Sequence, residues 1–150
     1  MTMLEFINYS VSLNNTNTAL IKDISFNLEK AQSLGIVGES GSGKSLTALS
    51  ALGLLNKRIF STKGQVLVNR RNIYELSDSD PNNIRGNEIS MIFQEPMTAL
   101  NPVFTVERQL TEGLMVHKGF SKKEAKKRAL ELMTMAKIPE PERRLKQFPH

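Results

Sequence analysis

The stretch that decides the fold of this chain reads Gly38-Glu39-Ser40-Gly41-Ser42-Gly43-Lys44-Ser45. It fits the phosphate-binding pattern G-x-x-x-x-G-K-[ST], in which glycines let successive backbone N–H groups point at one phosphate group. A helix that begins at Lys44-Ser45 presents its positive N-terminal end to the same anion. The Lys44 ammonium can reach the outer phosphates, and the Ser45 hydroxyl can ligate Mg²⁺. The motif therefore predicts a P-loop that binds a nucleotide.

The residues on both sides of this motif support the prediction. Residues 33–37 read as a short buried strand, and the run 45–56 carries leucines at helical spacing. Strand, glycine-rich loop and helix, in that order, is the arrangement that a P-loop requires.

Elsewhere the pattern predicts strands at 3–9, 21–29, 65–69 and 89–93, with Gly64 as the turn before the third of them. From Val103 onward the pattern is helical. A capping box at Ser121 predicts a helix to about Lys137, with a packed stripe formed by Ala125, Ala129, Leu132 and Ala136. Pro139 and Pro141 are expected to end it.

Composition limits the classes of protein to consider. The 150 residues suffice for one domain or part of one. The chain has no cysteine, which excludes disulfides and thiolate metal sites and indicates a reducing compartment. The first residues lack the basic and apolar regions of a signal peptide. The longest apolar stretch is too short to span a bilayer, so we expect any membrane role to come through a partner.

The net charge of +5 is unevenly distributed. Ten basic and four acidic residues lie between Lys118 and His150. Such a segment could bind nucleic acid or anionic lipid, but a solvated helix face is the simplest interpretation. We expect no nucleic-acid partner.

A second motif reads MIFQEPMTALNP, residues 91–102, and its Gln94 lies 50 positions beyond Lys44. It describes a buried strand that ends at Gln94 and is followed by a loop made rigid by Pro96 and Pro102. This string resembles the Q-loop of ABC transporter ATPases. The P-loop with residues 46–50, and the stretch 85–90, resemble the same family. More narrowly, the chain resembles the ATPase subunits of peptide and nickel importers, of the oligopeptide/microcin C type.

The resemblance covers essentially the whole chain and implies an α/β, P-loop NTPase fold. Residues 1–32 and about 64–70 would form an antiparallel β subdomain. Residues 33–55 and 89–94 would form the nucleotide-binding core with a partial parallel sheet. Residues from about 103 to 150 would begin the helical subdomain that faces the membrane partner.

The resemblance also implies ligands, partners and an activity. ATP and Mg²⁺ would bind, with Ser45 and Gln94 at the metal and Gln94 sensing the γ-phosphate. The partners would be transmembrane permease subunits and a second ATPase domain, at the cytoplasmic face of the inner membrane. The activity would be ATP-driven uptake of peptides or related solutes. The nucleotide would be contacted by Gly38, Glu39, Ser40, Gly41, Ser42, Gly43, Lys44, Ser45 and Leu46.

Three departures from the family pattern qualify these expectations. The chain ends at His150, before the signature, Walker B aspartate, catalytic glutamate and switch histidine, so we expect a truncated form that does not hydrolyse ATP. The alternative is a stand-alone nucleotide-binding module, or a relic, without turnover. The loop 14–18 lacks an aromatic residue to stack on adenine, and Tyr9 aligns poorly with that role. Ala31 stands where a glycine is usual, and alanine adopts positive φ less cheaply.

Overall fold

Alternation of apolar and polar residues produces a four-stranded antiparallel sheet at the start of the chain. The computed structural model describes residues 2–76, 84–93 and 99–150, which fall into two units, Met1–Met91 and Ile92–His150. The sheet lies in the first unit, with the strand order β2-β1-β3-β4. Its strands are β1 Thr2–Leu13, β2 Ala19–Glu29, β3 Phe60–Val68 and β4 Arg71–Asn72. The strands predicted at 3–9 and 21–29 are confirmed.

The third strand begins earlier than predicted, and Gly64 lies within it rather than in a turn before it. The pairing of β1 with β3 is irregular between Ile7 and Ser10, where Asn8 has φ +46°. A Cβ atom added at Gly64 would lie 2.4 Å from the backbone oxygens of both Ile7 and Asn8. Only glycine permits this close approach of the two strands.

The core of the first unit lies between this sheet and helix α1, Lys44–Ala51. Phe6, Tyr9 and Val66 are almost fully buried there. Helix α1 was expected to reach residue 56 but ends at Ala51. Its end is a Schellman turn, because Leu54 N–H donates to the Leu49 carbonyl and Gly53 N–H to the Ser50 carbonyl.

The strands predicted at 33–37 and 89–93 are not formed. Residues 32–39 belong to no ladder of the described chain, and Ile89 makes only an isolated parallel bridge to Arg85. The Leu34 and Ile36 side chains remain about half exposed. An apolar run indicates a segment that can be buried, but a strand also needs a neighbour to pair with. The described residues supply none, so the expected parallel sheet is absent from this part of the chain.

The second unit contains three helices, α2 Val106–Lys118, α3 Lys122–Met135 and α4 Pro141–Leu145. The capping box at Ser121 and Glu124 is present, as predicted. The predicted stripe on α3 is partly wrong. Ala125, Ala129 and Met133 are buried at a spacing of four, whereas Leu132 and Ala136 are exposed.

Pro141 also has a different role from the one expected, since it opens α4 instead of only ending α3. Proline fits the first position of a helix because the N–H that it lacks has no intrahelical acceptor there. None of the helices in the described ranges has the length and apolar character needed to cross a bilayer.

Candidate functional site

The glycine-rich loop turns directly into α1. Gly41 and Gly43 have φ of +83° and +93°, and Gly43 is the N-cap of a helix whose first residue is Lys44. Left-handed backbone at these two positions is what glycine provides at least cost. The loop and the helix start therefore have the predicted arrangement, although the segment before them is not a paired strand.

The N-terminal end of α1 is open to an anion. Within the described residues, no side chain caps this helix and its first turn carries no acidic residue. The first N–H groups of a helix have no intrahelical acceptor, and together with the helix dipole they favour negative charge.

The Lys44 side chain folds back over the loop. Its Nζ atom donates to the backbone oxygens of Gly38, at 2.8 Å, and Glu39, at 2.7 Å, and lies 3.4 Å from Ser42 Oγ. These partners are uncharged, and among the described residues no carboxylate forms an ion pair with Lys44. A phosphate placed at the loop can take over these contacts without breaking an ion pair.

Two of the three hydroxyl groups on α1 donate hydrogen bonds to backbone carbonyls of the preceding turn, and the third is exposed. Thr47 Oγ1 donates to the Gly43 carbonyl at 3.0 Å, and Ser50 Oγ donates to the Leu46 carbonyl at 2.7 Å. Ser45 is exposed in the first turn, next to the open end of the helix. Of these three hydroxyls, Ser45 is the exposed one beside the open helix end, and its role as a ligand of Mg²⁺ stays a prediction. Leu46 is partly buried and packs against the core.

A cavity of about 530 Å³ opens beside the loop. Ser42, Lys44 and Thr47 line one part of it, and apolar side chains of β2 and residues 34–37 line the rest. Lys22 is a second cation at this cavity, which the sequence analysis missed. The alternation of β2 separates Lys22 from the buried Ile21, but no sequence signal connects it with a loop 16 or more residues away.

Neither the loop 14–18 nor Tyr9 supplies an aromatic ring that could stack on adenine. The loop 14–18 is exposed and is closed by backbone hydrogen bonds such as the one from Leu13 N–H to the Thr18 carbonyl, at 3.0 Å. Tyr9 is fully buried, its ring lies 6.1 Å from the Tyr74 ring, and the two hydroxyl oxygens are 2.5 Å apart. Burial raises the pKa of the Tyr9 hydroxyl above its ordinary value. Tyr9 is thus a core residue and cannot stack on a base.

Gln94 lies outside the described residues, as do residues 95–98 of the same motif. Its role at the metal stays a prediction.

Comparisons with known proteins agree on one family. A family model described as ABC transporter matches residues 21–150. A probable peptide ABC transporter ATP-binding protein, y4tR, of Sinorhizobium fredii is 47% identical over 134 residues, which are 89% of this chain and 40% of that protein. The dipeptide transport ATP-binding protein DppD of Lactococcus lactis is 49% identical over 131 residues, which are 87% of this chain and 38% of that protein. The chain thus spans about two fifths of the length of these relatives.

Solved structures agree with this result. The dimeric structure of MJ0796, a bacterial ABC transporter cassette, has a TM-score of 0.76 at 28% identity, over 98% of this chain and 62% of that one. The same cassette in a post-hydrolysis state, bound to ADP and Pi, has a TM-score of 0.74 at 26% identity, with the same coverage. The expected α/β fold of an ABC ATPase domain is therefore confirmed. Because the family model matches most of its residues, this chain belongs to the ABC transporter family.

Proposed function

We propose that residues 38–46 bind MgATP and that the chain is the nucleotide-binding part of an ATPase subunit of a peptide importer. The observation that carries this proposal is the position of Lys44. Its ammonium group is 2.7–2.8 Å from two loop carbonyls, beside the open end of α1. Charge and N–H donors converge on a volume that suits phosphate groups.

The proposed roles follow from the chemistry of each group. The N–H groups of the loop and of the first turn of α1 hold the β-phosphate, and Lys44 neutralises the outer phosphates. Ser45 would hold Mg²⁺ through its hydroxyl, and we propose Gln94 as a second ligand of that metal ion, as the family resemblance implies. Bound Mg²⁺ supplies neutralisation of the charge that develops during phosphoryl transfer.

The wider role is proposed from the relatives. Their names describe peptide and dipeptide transport, and the MJ0796 cassette is a dimer. We therefore propose that the partners are permease subunits and a second ATPase domain, at the cytoplasmic face of the membrane. We propose the division into a β subdomain at 1–32 and 64–70, a nucleotide-binding core at 33–55 and 89–94, and a helical subdomain from about 103. These 150 residues alone should bind MgATP without sustained hydrolysis.

Calorimetry with the 150-residue protein tests the binding site. Replacing Lys44 by alanine should weaken MgATP binding at least tenfold, or by about 1.4 kcal/mol, because the loop then lacks its side-chain cation. Lys57→Ala is the matched control, since Lys57 is an exposed lysine of the same unit that lies outside the loop and the cavity. Equal MgATP affinities of wild type and Lys44→Ala would remove the P-loop assignment.

A further inference from the structure

The connection between α2 and α3 exposes apolar and basic side chains together. Near the end of α2, Val116 is 71% exposed, and Phe120 in the connection is 37% exposed. The exposed Lys118, Lys122 and Lys123 lie beside them in the chain, and Lys127 lies about one helical turn beyond Lys123 on α3. We call this surface the helical tip; its side chains are Val116, Lys118, Phe120, Lys122, Lys123 and Lys127.

Three lysines of the helical tip, Lys122, Lys123 and Lys127, are not paired with the carboxylates of α2 and α3. Glu124 accepts hydrogen bonds from the backbone N–H and the hydroxyl of Ser121, at 2.8 and 2.6 Å. Two other carboxylates of α2 and α3 are in ion pairs, Glu107 with Lys126 and Glu131 with Arg128. Across the ranges that the structure describes, Lys122, Lys123 and Lys127 have no acidic partner. Glu112, on α2, is one helical turn further from the tip than Val116.

We propose that the helical tip binds directly to a membrane surface that contains anionic phospholipid. A membrane surface has an outer layer of charged headgroups and an apolar layer of acyl chains beneath it. The unpaired Lys122, Lys123 and Lys127 suit the first layer, and the exposed apolar side chains suit the second. The Phe120 ring and the Val116 side chain can enter the boundary between headgroups and acyl chains, while the ammonium groups pair with lipid phosphates. Each lysine near an anionic surface strengthens binding about fivefold, so three unpaired lysines provide about a hundredfold.

This contact is separate from the proposed function. The simplest interpretation of the basic segment was a solvated helix face, but that interpretation gives no role to Val116 and Phe120, which are exposed at the same place. The tip involves no residue of the P-loop and requires no permease. Lys44→Ala should therefore leave lipid binding unchanged, which separates a failure of this proposal from a failure of the nucleotide-binding proposal.

Vesicle flotation with the full 150-residue protein tests the proposal. The protein should float with vesicles of phosphatidylcholine and phosphatidylglycerol in equal parts, and should stay at the bottom of the gradient with pure phosphatidylcholine. The triple variant Lys122→Glu, Lys123→Glu, Lys127→Glu should lose at least about a hundredfold in partition coefficient. Flotation is chosen because aggregated protein does not rise in the gradient.

A matched variant controls for net charge. Lys30→Glu, Lys57→Glu, Lys63→Glu changes the charge equally at exposed positions of the first unit, and should partition like wild type. Lys122 and Lys123 lie in the first turn of α3, where glutamate favours the helix, so circular dichroism should show that the tip variant remains folded. Phe120→Ser, which keeps all lysines, should weaken partition about tenfold through loss of apolar burial.

Three results would overturn the proposal. They are equal partition of wild type and the tip variant, equal binding to both kinds of vesicle, and capture of an RNA oligonucleotide by a protein that does not float with anionic vesicles.

Discussion

Replacing Ala31 by glycine should stabilise the first unit. Ala31 has φ +64°, in the turn between β2 and the segment that leads to the P-loop. In this left-handed conformation the alanine Cβ approaches the following carbonyl oxygen, at a cost of about 1–2 kcal/mol that glycine does not incur. The turn cannot easily relax, because Gln32 N–H donates to the Glu29 carbonyl at 3.2 Å and Glu29 N–H donates to Gln32 Oε1 at 2.9 Å.

The size of the effect is the difference between two free energies. Glycine removes the strain in the folded state but gives the unfolded chain more freedom, which costs about 0.4–1 kcal/mol. The midpoints of the two ranges, about 1.5 and about 0.7 kcal/mol, leave a net gain in the free energy of unfolding of about 0.8 kcal/mol. For a unit of about 90 residues this corresponds to a rise in Tm of about 3–6 °C.

Differential scanning calorimetry of wild type and Ala31→Gly measures this rise. Ala48→Gly is the matched control, because the same chemical change is made in the same unit, inside α1. Glycine in a helix interior should lower the free energy of unfolding by about 1 kcal/mol, so the two variants should shift Tm in opposite directions. An Ala31→Gly protein that melts at or below the wild-type temperature would refute the reasoning.

Three further predictions concern other sites. Gly64→Ala should destabilise the first unit by about 2–3 kcal/mol, because its Cβ would lie 2.4 Å from two backbone oxygens; a urea midpoint equal to that of wild type would contradict this. ATP and GTP should bind within about tenfold of each other, because Tyr9 is buried and the loop 14–18 has no aromatic ring; calorimetry that shows a strong ATP preference would reveal a stacking residue elsewhere. Hydrogen bonds from Arg71 and Asn69 hold the pKa of the Glu88 carboxyl below its ordinary value. The ionised Glu88 therefore stabilises the fold above the unfolded pKa of about 4.3, and this stabilisation is lost as the pH falls through the folded pKa. Glu88→Gln should therefore lose less stability than wild type between about pH 5 and 3 in denaturant titrations, and equal losses would exclude the contribution.

The sequence predicted the conformation of the P-loop and the start of α1 better than it predicted the sheet beside them. The P-loop and the start of α1 follow from local rules, because glycine conformations and helix caps depend on a few neighbouring residues. The strands at 33–37 and 89–93 depend on partners distant in the chain, and an apolar run does not identify them.

Two other differences have the same origin. The position of Gly64 opposite the irregularity of β1 depends on strand register, which the alternation of side chains does not determine. The burial of Met133 in place of Leu132 depends on which face of α3 meets Leu145, a contact made across a connection that the helical pattern does not describe.

The positions of the two tyrosines allow the two units to be followed by different optical signals, tyrosine fluorescence for the first and far-ultraviolet circular dichroism for the second. Tyr9 and Tyr74 are the only tyrosines, and the chain has no tryptophan. Tyrosine fluorescence therefore originates entirely in the first unit, where the two hydroxyl oxygens are 2.5 Å apart. The far-ultraviolet helical signal comes mainly from the second unit, which holds α2, α3 and α4. One sample, heated once and followed at both wavelengths, can therefore report whether the two units melt together or one after the other.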